Sequence, residues 1–313
     1  MTISDDIFNK LDEWKEPPQT LYKYLSPGRI PSALEDCSVR FTPLTGTNDA
    51  FEVRRTFNKI AGPKFLAVMQ EELDRKSIEA LILELIDNKL KDAGLHWLNA
   101  KTVLAMIKAE TGIDFVEYMR VSLPQFFEGE FASLVNRQEF IDIVIEKTGT
   151  EILCFSLSER MNSAPMWAHY ARENSGFLIG FDSTHEWFRT RRNGKNNRIR
   201  QVRYIDGVAG DEMLDDVLAV LSSKLTDWKY EAEWRLFLRP SEVDQIVQTP
   251  TGPVHLVHFP TDAVTKIVLG AKTSEEDQRR IAAIAKQNFP HVTVTKLQVN
   301  KRDHSYDEIS IEN

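Results

Sequence analysis

Hydrophobic and polar positions change their rhythm three times along the chain. Leu21-Tyr22-Lys23-Tyr24-Leu25 is a β-prone aromatic run closed by Ser26-Pro27-Gly28, and Ser38-Val39-Arg40-Phe41-Thr42 is a second, closed by Pro43. Between them Pro31 to Asp36 has room for one or two helical turns, and Thr45-Gly46-Thr47-Asn48-Asp49 is a cluster of turn formers. From about 58 to 147 the spacing becomes helical. Ile78, Leu81, Ile82, Leu85, Ile86 and Leu90 recur at three and four residues before Gly94; Asn99 caps a second helix running to Gly112; and Leu134, Val135, Ile141, Val144 and Ile145 predict a third before Gly149. After Gly149 short β-type runs return at 152–157, 176–181, 202–205, 233–238, 254–259, 265–269 and 292–299. Helices are predicted among them at 164–173, with Pro165 near the start, at 211–224, and after Ser274.

The elements do not follow a strict strand-helix-strand alternation, and neither GxGxxG nor GxxxxGK[ST] occurs. The pattern predicts an α+β fold: a mixed, largely antiparallel β core formed by 1–57 and 148–313, interrupted by an all-helical insertion at 58–147.

Composition narrows the function classes. The 313 residues are 42% hydrophobic and 27% charged, which is ordinary for a globular chain, and two cysteines, Cys37 and Cys154, exclude a disulfide scaffold. Acids at the start and apolar runs interrupted by Glu argue against a signal peptide or a membrane span, so a cytoplasmic protein with no membrane partner is expected. With 39 Lys and Arg against 47 Asp and Glu, the net charge of −8 excludes a uniformly basic coat for nucleic acid. It conceals Arg189, Arg191, Arg192, Lys195, Arg198, Arg200 and Arg203, seven cations in fifteen residues without an acid. Such a loop is suited to a pyrophosphate or a polynucleotide, or is a solvated hairpin balancing nearby acids.

Three further constellations carry chemistry. If the chain is extended from Glu231, alternation puts Glu231, Glu233 and Arg235 on one face and Trp234, Leu236 and Leu238 on the other. The polar face is either the lining of a cleft, where a carboxylate meets a substrate hydroxyl, or a solvated strand face with a Glu/Arg pair. In Met166-Trp167-Ala168-His169-Tyr170, Trp167 and Tyr170 share a helix side, as a stacking wall or as core, while His169 is a candidate acid, base or donor. Cys154 with His169 permits a thiol nucleophile, although a cysteine in an apolar run is more often inert. No metal site is expected, since His255 and His258 fall on opposite strand faces and no Cys-x-x-Cys or His-Glu-x-x-His is present.

LYKYLS at 21–26, NDAFE at 48–52, ILCFSLS at 152–158, MWAHYARENSGFLIGFD at 166–182 and YEAEWRLFL at 230–238 together resemble an uncharacterised bacterial family, domain of unknown function 2971. The opening aromatic strand, short helix, second strand and Asn-bearing turn more distantly resemble ADP-ribosyltransferase folds, including toxins that target DNA. That resemblance implies NAD as the bound substrate. Lys23 and Tyr24 take the first-strand place, where Lys23 stands for the usual His or Arg. Ser156 or Tyr170 takes the middle element, and Glu231-x-Glu233 takes the late-strand Glu pair. It further implies Glu233 as the catalytic carboxylate, Glu231 as positioner of the acceptor, Arg235 or the basic loop on pyrophosphate, and Trp167 or Tyr170 against a ring, with Asn48 as a further NAD-binding residue and His169 as a further catalytic one.

The resulting expectation is an enzyme cleaving NAD and passing ADP-ribose to nucleic acid or protein, as a toxin or phage-defence effector does. Two alternatives stand beside it: a non-catalytic nucleic-acid or nucleotide-binding module working through the 189–203 loop, and a protein-interaction subunit whose 58–147 helices receive a partner.

Overall fold

A computed structural model describes residues 15–47, 78–126, 149–191, 194, 196–206, 221–303 and 305–311. The chain divides into two compact units, 1–56 with 145–313, and 57–144.

In the second unit the described helices are α1 (Ile78–Asp92), α2 (Ala100–Thr111) and α3 (Phe115–Phe126). Asn99 caps α2, accepting the Thr102 N–H at 3.0 Å, and Gly112 ends it at φ 72°, a left-handed conformation that glycine adopts without a Cβ penalty. Asp87 on α1 accepts the Ala100 N–H at 2.7 Å and ties the two helices together. Ile82 is buried in α1, whereas Leu85, on the same predicted stripe, is 62% exposed. The stripe is therefore narrower than its sequence spacing implies. α3 has no counterpart in the sequence reading, and the helix expected around 134–145 lies outside the described residues.

The first unit is built on an eleven-stranded sheet. Its chain order is β1 (Thr20–Leu25), β2 (Ser38–Pro43), β3 (Leu153–Ser158), α4 (Ala164–Tyr170), β4 (Phe177–Asp182), β5 (Arg200–Gln201), β6 (Arg203–Ile205), β7 (Ser223–Leu225), β8 (Glu233–Leu238), β9 (Gln245–Thr249), β10 (Gly252–His258), β11 (Val264–Leu269), α5 (Glu275–Asn288), β12 (Thr293–Asn300) and β13 (Ser305–Ser310). The spatial order is β13-β12-β11-β4-β1-β3-β2-β10-β9, with β8 also on β3 and β5 on β8; β6 and β7 form a separate parallel pair. Every pairing in the large sheet is antiparallel except β11 with β12, whose parallel register follows from the crossover through α5. The fold is thus mixed, with a largely antiparallel sheet.

Strand alternation sorts the side chains onto two faces. Leu21, Phe41, Phe155, Leu157, Ile179, Phe181, Trp234 and Leu236 form the main core on one face, covered by Ile281, Ala285 and Phe289 of α5. On the other face Tyr24, Leu178 and Val268 pack against Met166 and Trp167 of α4. Beyond α4 the chain turns back through Arg172, Glu173 and Asn174, all at positive φ, in place of the longer helix predicted to 173. Gly176 closes this turn because a Cβ there would lie 2.1 Å from the Leu25 carbonyl oxygen.

The helix expected at 211–224 is corrected at its end, where Ser223–Leu225 forms β7; 207–220 lie outside the described residues. Residues 31–35 form a single π-type turn. β9 and β13 escape the sequence reading because their burial patterns, nearly all exposed, lack the alternation that marks a half-buried strand.

Candidate functional site

The sheet opens beside β3, and the opening follows from how that strand is paired. β8 runs along one edge of β3 from Leu153 to Ser158. β1 and β2 therefore share the other edge: β1 meets it at Ser158, and β2 meets it at Leu153 and Cys154. Among the described residues, no strand pairs with the middle of that edge, 155–157. A cleft lies over this gap, lined by Tyr22, Lys23 and Tyr24 from β1, Thr42 and Thr47 after it, Cys154, Ser156 and Ser158 from β3, Met166 and Tyr170 from α4, and Lys224, Glu231, Glu233 and Arg235. It holds about 140 Å³ of water-sized space, and about 690 Å³ with its open mouth. The enclosed part is smaller than the ~300–1,000 Å³ of a drug-sized ligand site, so a large ligand would place one end in it.

Cross-strand register decides which side chains meet here. Ser158 lies opposite Glu233 and Ser156 opposite Arg235, so these share the cleft face, while Phe155 with Leu236 and Leu157 with Trp234 share the core face. Glu231 reaches the same face by another route. The extended backbone expected from 231 begins only at Glu233; Glu231 ends a 3-10 turn over Thr226–Glu231, and Ala232 at φ 44° reverses the chain between the two acids. The Ser158 hydroxyl donates to the Glu231 carbonyl at 2.6 Å and fixes that corner.

The charges form one network. The Lys224 ammonium donates to Glu231 Oε2 at 2.6 Å and to Glu233 Oε2 at 3.2 Å. Arg235 holds Glu233 with two parallel bonds, Nε to Oε1 and Nη2 to Oε2, both 2.9 Å, and donates through Nη1 to the Leu221 carbonyl at 2.6 Å. Tyr170 donates its hydroxyl to Glu231 Oε1 at 2.5 Å, and the Glu233 N–H donates to the Tyr204 hydroxyl at 2.8 Å. Glu231, Glu233, Lys224 and Arg235 are each no more than 6% exposed. A solvated strand face is therefore overturned; the polar side of β8 is as buried as its apolar side.

Burial and neighbours push the two carboxylates apart. Burial is the largest influence on Glu231 and raises its pKa, with the Glu233 charge adding to the rise and Lys224 and Tyr170 working against it. Burial also works upward on Glu233, but Arg235 and Lys224 outweigh it and hold this carboxylate ionised. Lys23 is lowered, chiefly by burial. Lys224 and Tyr204 were missed in the sequence. Lys224 sits in a stretch read as helix, and neither residue belongs to a recognisable motif.

The remaining predicted site residues separate into those the cleft gathers and those it does not. Tyr24 lines it while donating its hydroxyl to the Arg160 carbonyl at 2.7 Å, and Ser156 lines it on the face of Arg235. Lys23 leaves β1 beside Ile179, on the core face opposite Glu233, yet its ammonium reaches the gap, donating to the Ser156 carbonyl at 2.8 Å above the Phe155 ring. Tyr22, paired with Ser158, is the β1 residue that faces the carboxylates.

Trp167 is fully buried against Tyr24 and donates to the Met161 carbonyl, so it is core and no stacking wall. Arg235, expected on pyrophosphate, is 1% exposed and occupied by Glu233. His169 is exposed and bonded to the Tyr230 hydroxyl at 3.1 Å outside the cleft lining; Cys154 is inside it, so their pairing as nucleophile and base is not formed. Asn48 lies outside the described residues.

The basic loop is likewise divided. Arg191 is buried in a two-bond pair with Glu242, at 2.9 and 2.6 Å, and Arg200 is buried beside Arg235; Arg189 and Arg198 are exposed, while Arg192 and Lys195 lie outside the described residues. The loop does not present all its cations to one ligand. Among the described residues no group of His, Cys, Asp and Glu could hold a metal ion, and no helix is long and apolar enough to cross a membrane.

Residues 166–236 match the model of a family described as "Protein of unknown function (DUF2971)". The matched stretch runs from Met166 through Tyr170, Lys224, Glu231 and Glu233 to Arg235, and so holds most of the charged side of the cleft. No curated protein and no solved structure matches the chain.

Proposed function

We propose that the cleft cleaves the nicotinamide–ribose bond of NAD and passes ADP-ribose to an acceptor, with Glu233 as the fixed charge on the reacting sugar and Glu231 as the base for the acceptor. The observation that carries this is the pair of carboxylates sharing one ammonium while their protonation is pushed in opposite directions. Two carboxyl groups held in unlike states are the usual means of dividing acid-base and electrostatic work at a glycosidic bond.

Glu233, locked by Arg235, supplies fixed negative charge beneath the oxocarbenium-like state that forms as the C1′–N bond breaks and nicotinamide leaves with the bonding pair. Glu231, whose raised pKa makes its ionised form a stronger base than an ordinary carboxylate, takes the proton of the acceptor as its oxygen or nitrogen attacks C1′. Tyr170 and Lys224 hold the two Glu231 oxygens in place for that transfer.

A second reading, a nucleotide-binding module without turnover, is favoured by one observation: Glu233 and Arg235 satisfy each other, as in a structural pair. Nicotinamide release, followed chromatographically with labelled NAD in the presence of DNA, RNA and lysate protein, separates the two. Release that falls by about 10²–10⁴-fold in Glu231→Gln supports the enzyme. Saturable NAD binding without release supports the module, and absence of both removes NAD from the site.

A further inference from the structure

The cations of the cleft outnumber its acids. Arg235 is matched by Glu233, and Lys224 by Glu231. Lys23 is left over. Its ammonium has three N–H donors, and among the described residues it has one acceptor, the Ser156 carbonyl at 2.8 Å, and one ring beneath it, Phe155 with its centroid 4.9 Å away. Burial acts against its charge most strongly, Cys154 and then Glu233 and Glu231 favour it through space, and Arg29 repels it. Lys23 is half-buried in the cleft lining, so its remaining donors face the cleft space, where an anion would meet both donors and charge. Thr42 lines the same cleft from the β2 side of the gap, and its hydroxyl has no protein acceptor among the described residues. The Thr47 hydroxyl, also in the lining, donates to the Leu44 carbonyl at 3.0 Å and keeps its lone pairs toward other donors.

The geometry points to a phosphoryl-binding subsite in the gap between β1 and β2, with the Lys23 ammonium as its charge and the Thr42 hydroxyl as its second donor. A lysine binds phosphate as a point charge with rotatable donors, which suits a site formed by one ammonium over an opening in a sheet. The composition of the lining fits an anion: Lys23, Lys224 and Arg235 stand against Glu231 and Glu233, one cationic side chain in excess. The source of the phosphoryl group is a nucleotide pyrophosphate or free inorganic pyrophosphate. Where the ligand is NAD this subsite rests on the function proposed above and orients the molecule, pyrophosphate at Lys23 and ribose toward Glu231.

Calorimetric titration of the full chain with inorganic pyrophosphate, ADP-ribose and adenosine tests the subsite. The expected result is binding of both phosphorylated ligands and not of adenosine, with affinity reduced at least about tenfold in Lys23→Met and less in Thr42→Val. Lys23→Gln, which keeps a polar end without the charge, should lose affinity like Lys23→Met, and thermal melting establishes that each variant is folded. Pyrophosphate binding that depends on Lys23, without NAD turnover, leaves the subsite standing and removes the ADP-ribosyl reading. NAD turnover with pyrophosphate and ADP-ribose affinities unchanged in Lys23→Met and Lys23→Gln overturns the subsite alone, as does failure of the native chain to bind either phosphorylated ligand.

Discussion

β8 offers the same backbone, depth and neighbours to two opposite kinds of side chain. On one face Trp234, Leu236 and Leu238 enter the main core; on the other Glu233 and Arg235 are equally buried among Ser156, Ser158, Lys224 and Glu231. The apolar face gains from removal from water, roughly 25 cal/mol per Å² of apolar surface. The charged positions of the other face gain nothing of that kind, and the desolvation of several charges there must be offset by pairing each of them. A fold needing only stability could have used aliphatic side chains on both faces. The charged face is therefore where requirements other than stability have shaped the strand.

The largest effect should come from unpairing that face. Arg235→Met leaves Glu233 buried with Lys224 as its remaining cation and should cost about 3–5 kcal/mol, read as a lowered urea midpoint. Glu233→Leu combined with Arg235→Met should recover most of that loss, because the pair leaves together. Leu236→Ala, on the apolar face of the same strand, should cost about 2–5 kcal/mol, with no partner substitution to restore it. If Arg235→Met cost no more than a surface change, the contrast between the two faces would collapse.

A sharper form of the comparison sets the two acids against each other by pH. The folded-state pKa of Glu233 lies below its ordinary 4.5, so its contribution is present above that value and is lost as pH falls toward the folded pKa. Glu231 has the opposite sign. Its folded pKa lies above 4.5, so its contribution is complete below that value and declines as pH rises through the folded pKa. Unfolding free energies followed from about pH 3 to 8 should show Glu233→Gln losing part of the acid limb and Glu231→Gln flattening the decline on the neutral side. Identical pH profiles for the two variants would show that the acids are not differentiated.

How far these relations were legible in the sequence depends on their range. Alternation along 233–238 was readable, as were the Asn99 and Ser274 caps and the strands at 21–25, 38–42 and 152–157, because each is decided by neighbours within a few residues. Convergence of Glu231, Glu233 and Arg235 was readable for a partly mistaken reason, since the turn at Ala232 brings Glu231 in where an extended strand was expected. Lys224 was not legible: its place depends on β7, two consecutive serines before it, and contacts made only in three dimensions. Trp167 and Tyr170 share a helix side in sequence, but only the packing of α4 against β1 decides that the first is core and the second reaches Glu231. The seven-cation loop shows the same limit, since a cation such as Arg191 can be matched by an acid fifty-one residues away.

The smallest expected effect separates Tyr170 as a positioning residue from Tyr170 as packing. Tyr170→Phe keeps the ring, which packs against the Tyr24, Met166 and Trp167 cluster, and removes the hydroxyl that donates to Glu231 Oε1. Where Glu231 is ionised, the lost bond should cost about 1–2 kcal/mol, because a buried carboxylate oxygen is left with one fewer donor. At acid pH the protonated carboxyl needs that donor less, so the cost should shrink as pH falls. The substitution should also raise the Glu231 pKa further, because the tyrosine hydroxyl is among the groups now holding it down. A cost that stays constant across the same pH range would assign Tyr170 to packing alone and leave the orientation of Glu231, among the described side chains, to Lys224.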